Sequence, residues 1–258
     1  MASTTKKKNH NYFYTTLGVI AIFLVWLVSS ISVNNSLILP SITDTFKALF
    51  DILKDVSTYK IILFTFLRVL ISLVLGVILG IILGLIAALN PWFNSLIKPS
   101  ILVMRVTPVV SLILVFLIMF GSVKDTSFAP ILIALLMIVP IVFEGVFEGI
   151  VNLDKDLVDV GRLDAPNRFS LVIHTYIPLI NQEIKTAVIQ SIGLGLKVMV
   201  MAEYISQSKT SIGRTLLEAK TFLNYDQVFA WTIILILLSV IIEGLSKINF
   251  KREENSLE

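Results

Sequence analysis

The chain has 258 residues, of which 56% are hydrophobic and only 15% charged; its formal net charge is +3 and its mean hydropathy is +0.89. Soluble domains carry about a quarter charged residues, so this composition excludes an ordinary soluble class and makes the bilayer the first candidate solvent. The absence of cysteine excludes disulfides, thiol chemistry and cysteine metal sites, and basic clusters at a membrane surface account for the small positive charge without a nucleic-acid partner.

Residues 9–43, 69–97, 106–123, 126–143 and 227–242 contain no Asp, Glu, Lys or Arg. A hydrocarbon core of about 30 Å takes about 20 apolar residues as a helix, which the first two stretches supply in full. In chain order, a tail over 1–16 leads to a first span at 17–33. A cleaved signal peptide is the alternative there, because Lys6, Lys7 and Lys8 precede the apolar core and Ser30-Ile31-Ser32 is a weak small-residue site. Residues 39–55, "LPSITDTFKALFDILKD", place Ile42, Phe46, Leu49, Phe50 and Leu53 on one helical face, opposite Asp44, Lys47, Asp51, Lys54 and Asp55. That spacing predicts an amphipathic helix at the outer membrane interface, or one packed on the bundle.

A second span is predicted at 69–89, with Gly76, Gly80 and Gly84 at four-residue steps on one face, where another helix can approach closely. The third, at 101–120, contains Pro108, and the fourth, at 128–147, contains Pro130 and Pro140. Proline frees a carbonyl that neighbours must satisfy, so both are expected inside a bundle. Residues 187–205 and 228–245 supply the fifth and sixth spans. The expected fold is therefore an all-α integral membrane domain of six helices over 17–247, followed by a tail at 248–258. Basic residues are denser on the side of the termini, as at Lys6 to Lys8, Arg105, Arg162, Arg168 and Lys185, which places both termini in the cytoplasm.

Between spans four and five, residues 152–185 form a large polar segment around Phe169, Leu171, Val172 and Ile173. It is either a solvated loop or a short amphipathic helix offered to a soluble protein. Lys197 and Glu203 are charges inside a span, about 240° apart on a helix, so they do not pair with each other. Lys197 is a candidate lining residue of a substrate path, with a structural interhelical bond as the alternative; Met199 belongs to the same stretch, with packing as its simpler role. Arg68 is expected to snorkel from the start of span two, and Glu144 and Glu148 to be structural. The only histidines are His10 and His174, and no phosphate-binding glycine loop is present, so a nucleotide would have to be carried by a partner. A transporter driven by an ion gradient remains a competing class.

The segment "DVGRLDAPNRFSLVIHTYIP" at 159–178 resembles the EAA loop of permease subunits of bacterial ATP-binding-cassette importers, which reads Glu-Ala-Ala, three residues, Gly, nine residues, Ile-x-Leu-Pro. Asp159, Val160 and Gly161 stand at its first positions, Ala165 at the glycine, and Thr175, Ile177 and Pro178 at its end; Pro166 follows Ala165 where a small residue is usual. The stretch 65–121 is similar to nitrate, sulfonate and taurine importer permeases, which show Leu-x-Arg-Val, recurring glycines, a Pro in the third span and a closing Phe-Gly; here Arg68-Val69, Gly76, Gly80, Gly84, Pro108 and Phe120-Gly121 carry that pattern. So is 195–220, with Lys197, Ala202-Glu203 and Ile212-Gly213.

The resemblance implies a type I importer permease in the bacterial inner membrane, not an enzyme. It would act as a homodimer with two cytoplasmic ATPase subunits, which bind ATP and Mg²⁺, and an external substrate-binding protein; the chain itself would need no cofactor. The loop would supply a coupling helix at 165–171, with Phe169 as apolar anchor, Asn167 and Arg168 as polar contacts, Asp159 capping or pairing within the loop, and Pro178 ending it. Its solute would be a sulfonate, taurine or nitrate-like anion, although related permeases carry thiamine-precursor pyrimidines or riboflavin-like compounds.

Overall fold

The computed structural model of the protein describes residues 3–120, 128–164 and 167–254. In order these form α1 (Ser3–Val33), α2 (Ile42–Lys54), α3 (Val56–Leu89), α4 (Pro91–Val106), α5 (Val109–Phe120), α6 (Phe128–Val151), α7 (Lys155–Asp164), α8 (Arg168–Leu171), a π-helical turn (Val172–Tyr176), α9 (Ile177–Leu179), α10 (Asn181–Ser206), α11 (Ile212–Thr221) and α12 (Tyr225–Glu254). Lipid offers no hydrogen bonds, so apolar segments of this kind must satisfy their own backbone, as helices do. Among the described residues, 5 helices are long and apolar enough to cross a membrane, and up to 6 if α4 and α5 are taken as one span.

That pair departs from the predicted third span. α4 and α5 meet at 102° across Thr107 and Pro108. Proline lacks the amide proton and forces its predecessor out of the helical region, and Thr107 is extended (φ −69, ψ 127). Pro140, by contrast, lies within the continuous helix α6 and is buried with Pro130. The expectation that proline-bearing spans sit inside the bundle holds for α6. Within this chain α5 is covered less: Ile113 is fully buried, and Val110, Leu114, Val115, Ile118 and Met119 are exposed. α3 also starts before its predicted span; its 34 residues extend roughly 50 Å, well beyond a hydrocarbon core.

The chain divides into two compact units. One comprises α1, α2 and the stretch from Leu216 to Leu235; the other runs from Tyr59 to Thr215 and resumes at Ile236. In the first, α1 ends at Asn34, whose left-handed backbone (φ 44) suits an asparagine. The chain then folds back, so that Trp26 Nε1 and Ser30 Oγ donate to the Pro40 carbonyl at 3.2 and 3.4 Å. The Trp26 ring stacks on Phe23 and Phe229, with centroids 6.2 and 5.6 Å away. Ser41 caps α2, its hydroxyl accepting from the Asp44 amide at 3.1 Å. Between α2 and α3, the Ser57 hydroxyl and amide both donate to the Asp55 carboxylate, holding its pKa below the ordinary value.

The second unit is built on the packing of α3, α6 and α10. Ile138, Val142, Val146 and Ile150 of α6 form a buried row with Ala187 of α10, against which Leu73, Val77, Ile81 and Leu85 of α3 pack. α3 comes closest to α6 along its glycines. A β-carbon added at Gly76, Gly80 or Gly84 would lie 2.6 Å from Ile138 Cγ2, 2.6 Å from Val142 Cβ and 2.9 Å from Val146 Cβ. The Ser72 hydroxyl joins the same two helices by donating to the carbonyls of Arg68 at 2.8 Å and Ile131 at 3.1 Å.

Arg68 does not snorkel, contrary to the sequence expectation. Its guanidinium pairs with Glu203 of α10 at 2.8 Å, and their side chains are 9% and 0% exposed. Glu203 also accepts from Thr65 Oγ1 at 3.0 Å and from the Gly213 amide at 3.4 Å, while Arg68 donates to the carbonyls of Lys209 and Thr210 at 2.9 and 3.3 Å. Gly213 starts α11 directly on the α10 backbone, where a β-carbon would lie 2.3 Å from the Tyr204 amide nitrogen.

Substitutions at the glycine row and at the buried ion pair test this packing. Gly80→Val overfills the α3–α6 contact and should cost about 1–3 kcal/mol, whereas Gly244→Ala, whose β-carbon would meet nothing within 4 Å, should leave stability unchanged or slightly raised. Glu203→Ala strands a buried guanidinium and should cost roughly 3–5 kcal/mol, and an Arg68→Met/Glu203→Met double variant should recover most of that loss. Thermal unfolding of the purified chain in detergent measures both.

Candidate functional site

The polar segment between α6 and α10 is a folded platform rather than an open loop. α7 is tied to the π turn at Gly161, where a β-carbon would lie 2.3 Å from Thr175 Cγ2. Asn167 caps α8, its side-chain oxygen accepting from the Ser170 amide at 2.8 Å. The chain stays helical through Pro178 and turns at Ile180 (φ −100, ψ 16), where α10 takes over. Val158, Tyr176 and Ile180 are buried in one cluster with Val146 and Ile150 of α6. The platform thus sits on the ends of the second unit's central helices.

Its outward side is apolar in an unusual degree for a segment beyond the spans. Phe169 is 74% exposed and Leu163 86% exposed, and Leu157 and Val160 of α7 are exposed with them. A cavity of about 510 Å³ opens beside this face, lined by Leu157, Val160, Gly161, Ser170, His174, Thr175, Pro178 and Leu179. Asp159 is paired with Arg162 at 2.9 Å on the exposed side of α7. Arg168 and Phe169 open α8 and are exposed; Ala165 and Pro166 lie outside the described residues. The α7 face was missed by the sequence reading, although Leu157, Val160 and Leu163 recur at three-residue steps that place them near one another on a helix.

A second cavity, of about 600 Å³, is lined by Arg105 of α4, by Glu144, Glu148 and Asn152 at the end of α6, and by Glu183 and Gln190 of α10. Arg105 and Glu144 form an ion pair across it. A further cavity of about 510 Å³ shares Thr186, Gln190 and Leu194 with the second and adds Lys197 and Glu243. Lys197 is on the exposed face of α10, whereas Met199, two positions on, is fully buried. The structure therefore separates these two predicted path residues. The Glu243 carboxylate rests on Gly193, where a β-carbon would meet its Oε1 at 2.6 Å. Its only sequence signal was its position directly after the apolar run 227–242.

Comparison with known proteins agrees with this architecture. Residues 76–254 match the family described as binding-protein-dependent transport system inner membrane component. SsuC of Escherichia coli (strain K12), whose name describes an aliphatic sulfonates transport permease protein, is 31% identical over 227 residues, covering 88% of this chain and 84% of that protein. The trimethylamine N-oxide transport system permease protein TmoV of Ruegeria pomeroyi (strain ATCC 700808 / DSM 15171 / DSS-3) is 24% identical over 61% of this chain and 23% of its own length. The crystal structure of a bacterial ABC transporter involved in the import of the acidic polysaccharide alginate contains a chain with the same fold, at a TM-score of 0.67 and 16% identity over 95% of this chain and 96% of that one. The chain belongs to the binding-protein-dependent transport system inner membrane components and is a multi-pass permease subunit of an ABC importer, with the type I permease fold and with ATP hydrolysis left to a partner subunit.

Proposed function

We propose that this permease works as a homodimer that moves a small sulfonate or similar anion inward, with both termini in the cytoplasm, and that the α7–α9 platform is where the ATPase grips it. The platform carries the mechanical part of this reading. Phe169 and Leu163 are exposed apolar groups beside a cavity, flanked by Arg168, Asp159 and Arg162. A central apolar anchor within a polar rim is the usual anatomy of an interface hot spot. ATP and Mg²⁺ are bound by the ATPase, so closure of its dimer pushes on the platform and, through Val158, Tyr176 and Ile180, on α6 and α10.

The solute class rests on the extended similarity to the sulfonates permease of Escherichia coli. Lys197 supplies a positive charge on the exposed face of α10, with Gln190 and Thr186 lining the same cavity. A second copy of the chain facing α10 encloses that polar surface, and the external binding protein delivers the solute to it.

In a purified complex with its ATPase subunits, Phe169→Ala should weaken ATPase association by about 2 kcal/mol, roughly 30-fold, without changing the permease's own melting midpoint. Unchanged ATPase binding would remove the platform from this role. In proteoliposomes holding the complete importer, ATP-dependent uptake of a radiolabelled short alkanesulfonate is expected, competed by excess unlabelled sulfonate. Uptake of other solutes but not of sulfonates or nitrate would reject the solute class while leaving the permease assignment intact.

A further inference from the structure

We propose that α2 is a membrane anchor: it lies along the boundary between acyl chains and headgroups, in the leaflet where α1 ends, with Phe46, Phe50 and Leu53 inserted among the lipid tails. At 3.6 residues per turn its side chains fall into three adjacent stripes. Thr45, Ala48 and Leu49 are buried, with Ile52 half-buried beside them. Phe46, Phe50 and Leu53 are exposed, Phe50 by 62%. Thr43, Asp44, Lys47, Asp51 and Lys54 make an exposed polar stripe. A helix with one protein face and one water face needs only two; the third, apolar and uncovered, calls for an apolar medium.

The depth of the helix identifies that medium. The Pro40 carbonyl, directly before the Ser41 cap, is bonded by Trp26 and Ser30 of α1. Those residues precede the end of α1 at Val33 by seven and three positions, about 10 and 5 Å along its axis. α2 therefore begins roughly 5–10 Å inside the end of a spanning helix, the depth at which interfacial helices bury their apolar face. Its polar stripe runs from Thr43 to Lys54, so each turn needs water and the helix lies along the boundary instead of crossing it. Ile31 and Val33 at the end of α1 and Leu37 and Ile38 in the connection are exposed apolar groups as well. The polar stripe carries both signs of charge, so the anchor requires no anionic headgroup.

The chain has no cysteine, so single replacements carry unique labels. Phe50→Cys, Leu53→Cys and Asp51→Cys variants of the full chain, each bearing an environment-sensitive fluorophore, are placed in phosphatidylcholine nanodiscs with or without acyl-chain nitroxide lipid, and separately titrated with iodide. Nitroxide lipid should quench the labels at 50 and 53 several-fold more than the label at 51, and iodide should show the reverse order. The pattern should be unchanged when phosphatidylglycerol is added. Equal iodide quenching at 50, 51 and 53 would place the stripe in water, and protection of 50 and 53 from both quenchers would show that protein covers it; either result overturns the proposal. A melting midpoint like that of the unaltered chain verifies that each variant is folded.

Discussion

The buried pairing of Arg68 with Glu203 fixes the second unit. Removing two charges from water costs more than their attraction returns unless every remaining donor and acceptor is also matched. Here the matching is nearly complete, through Thr65, the Gly213 amide and the carbonyls of Lys209 and Thr210. The turn after α10 is shaped by this demand. Gln207 and Thr210 both take left-handed backbone angles (φ 54 and 48), unfavourable for residues with side chains, and the second of them presents its carbonyl to Arg68. One ion pair thus sets the register of α3 on α10 and the starting point of α11.

From that point α3 has little freedom left. Arg68, Ser72, Gly76, Gly80 and Gly84 succeed one another at four-residue steps, forming a single row in which side chains shrink from guanidinium to hydroxyl to none. The charged end reaches α10, the hydroxyl reaches the α6 carbonyl of Ile131, and the bare end admits Val142 and Val146 to near-contact with the α3 backbone. In lipid the hydrophobic effect does not drive helices together, so close packing and hydrogen bonds must do so, and this row supplies both. On the proposed reading, the rigidity matters for transport. A push on the platform displaces α6 and α10 as bodies because their neighbour cannot slide along them.

The parts of this fold that were legible in sequence are those specified by local composition. Apolar runs located the long helices α1, α3, α6 and α12, the glycine steps marked a close-approach face, and helical spacing of polar and apolar positions revealed α2. Interactions between distant residues were not legible. Arg68 and Glu203 were each visible as charges inside spans, but they are 135 positions apart, and nothing in either neighbourhood names the other. Pro108 was expected inside a single span, as Pro140 was, yet the proline in α6 leaves that helix continuous while this one accompanies a 102° turn. Their surroundings differ as well: Pro140 is buried in the bundle, whereas Pro108 is exposed. In the platform, Gly161 was recognised by its place in a motif, but its physical reason, the close seating of Thr175, belongs to the folded arrangement.

The exposed face of α10 then bears on how many copies act together. Lys197 lies nine residues from the end of α10 at Ser206, about 14 Å, and further still from its start at Asn181, so its flexible stem cannot carry the ammonium to either end. Insertion measurements put the cost of a lysine in the middle of a spanning helix at about 2.5–3.5 kcal/mol, to which Glu243, lining the same cavity, adds its own. Lipid is therefore the least favourable medium for this surface. On the proposed homodimer, protein from a second copy encloses this surface and removes that cost.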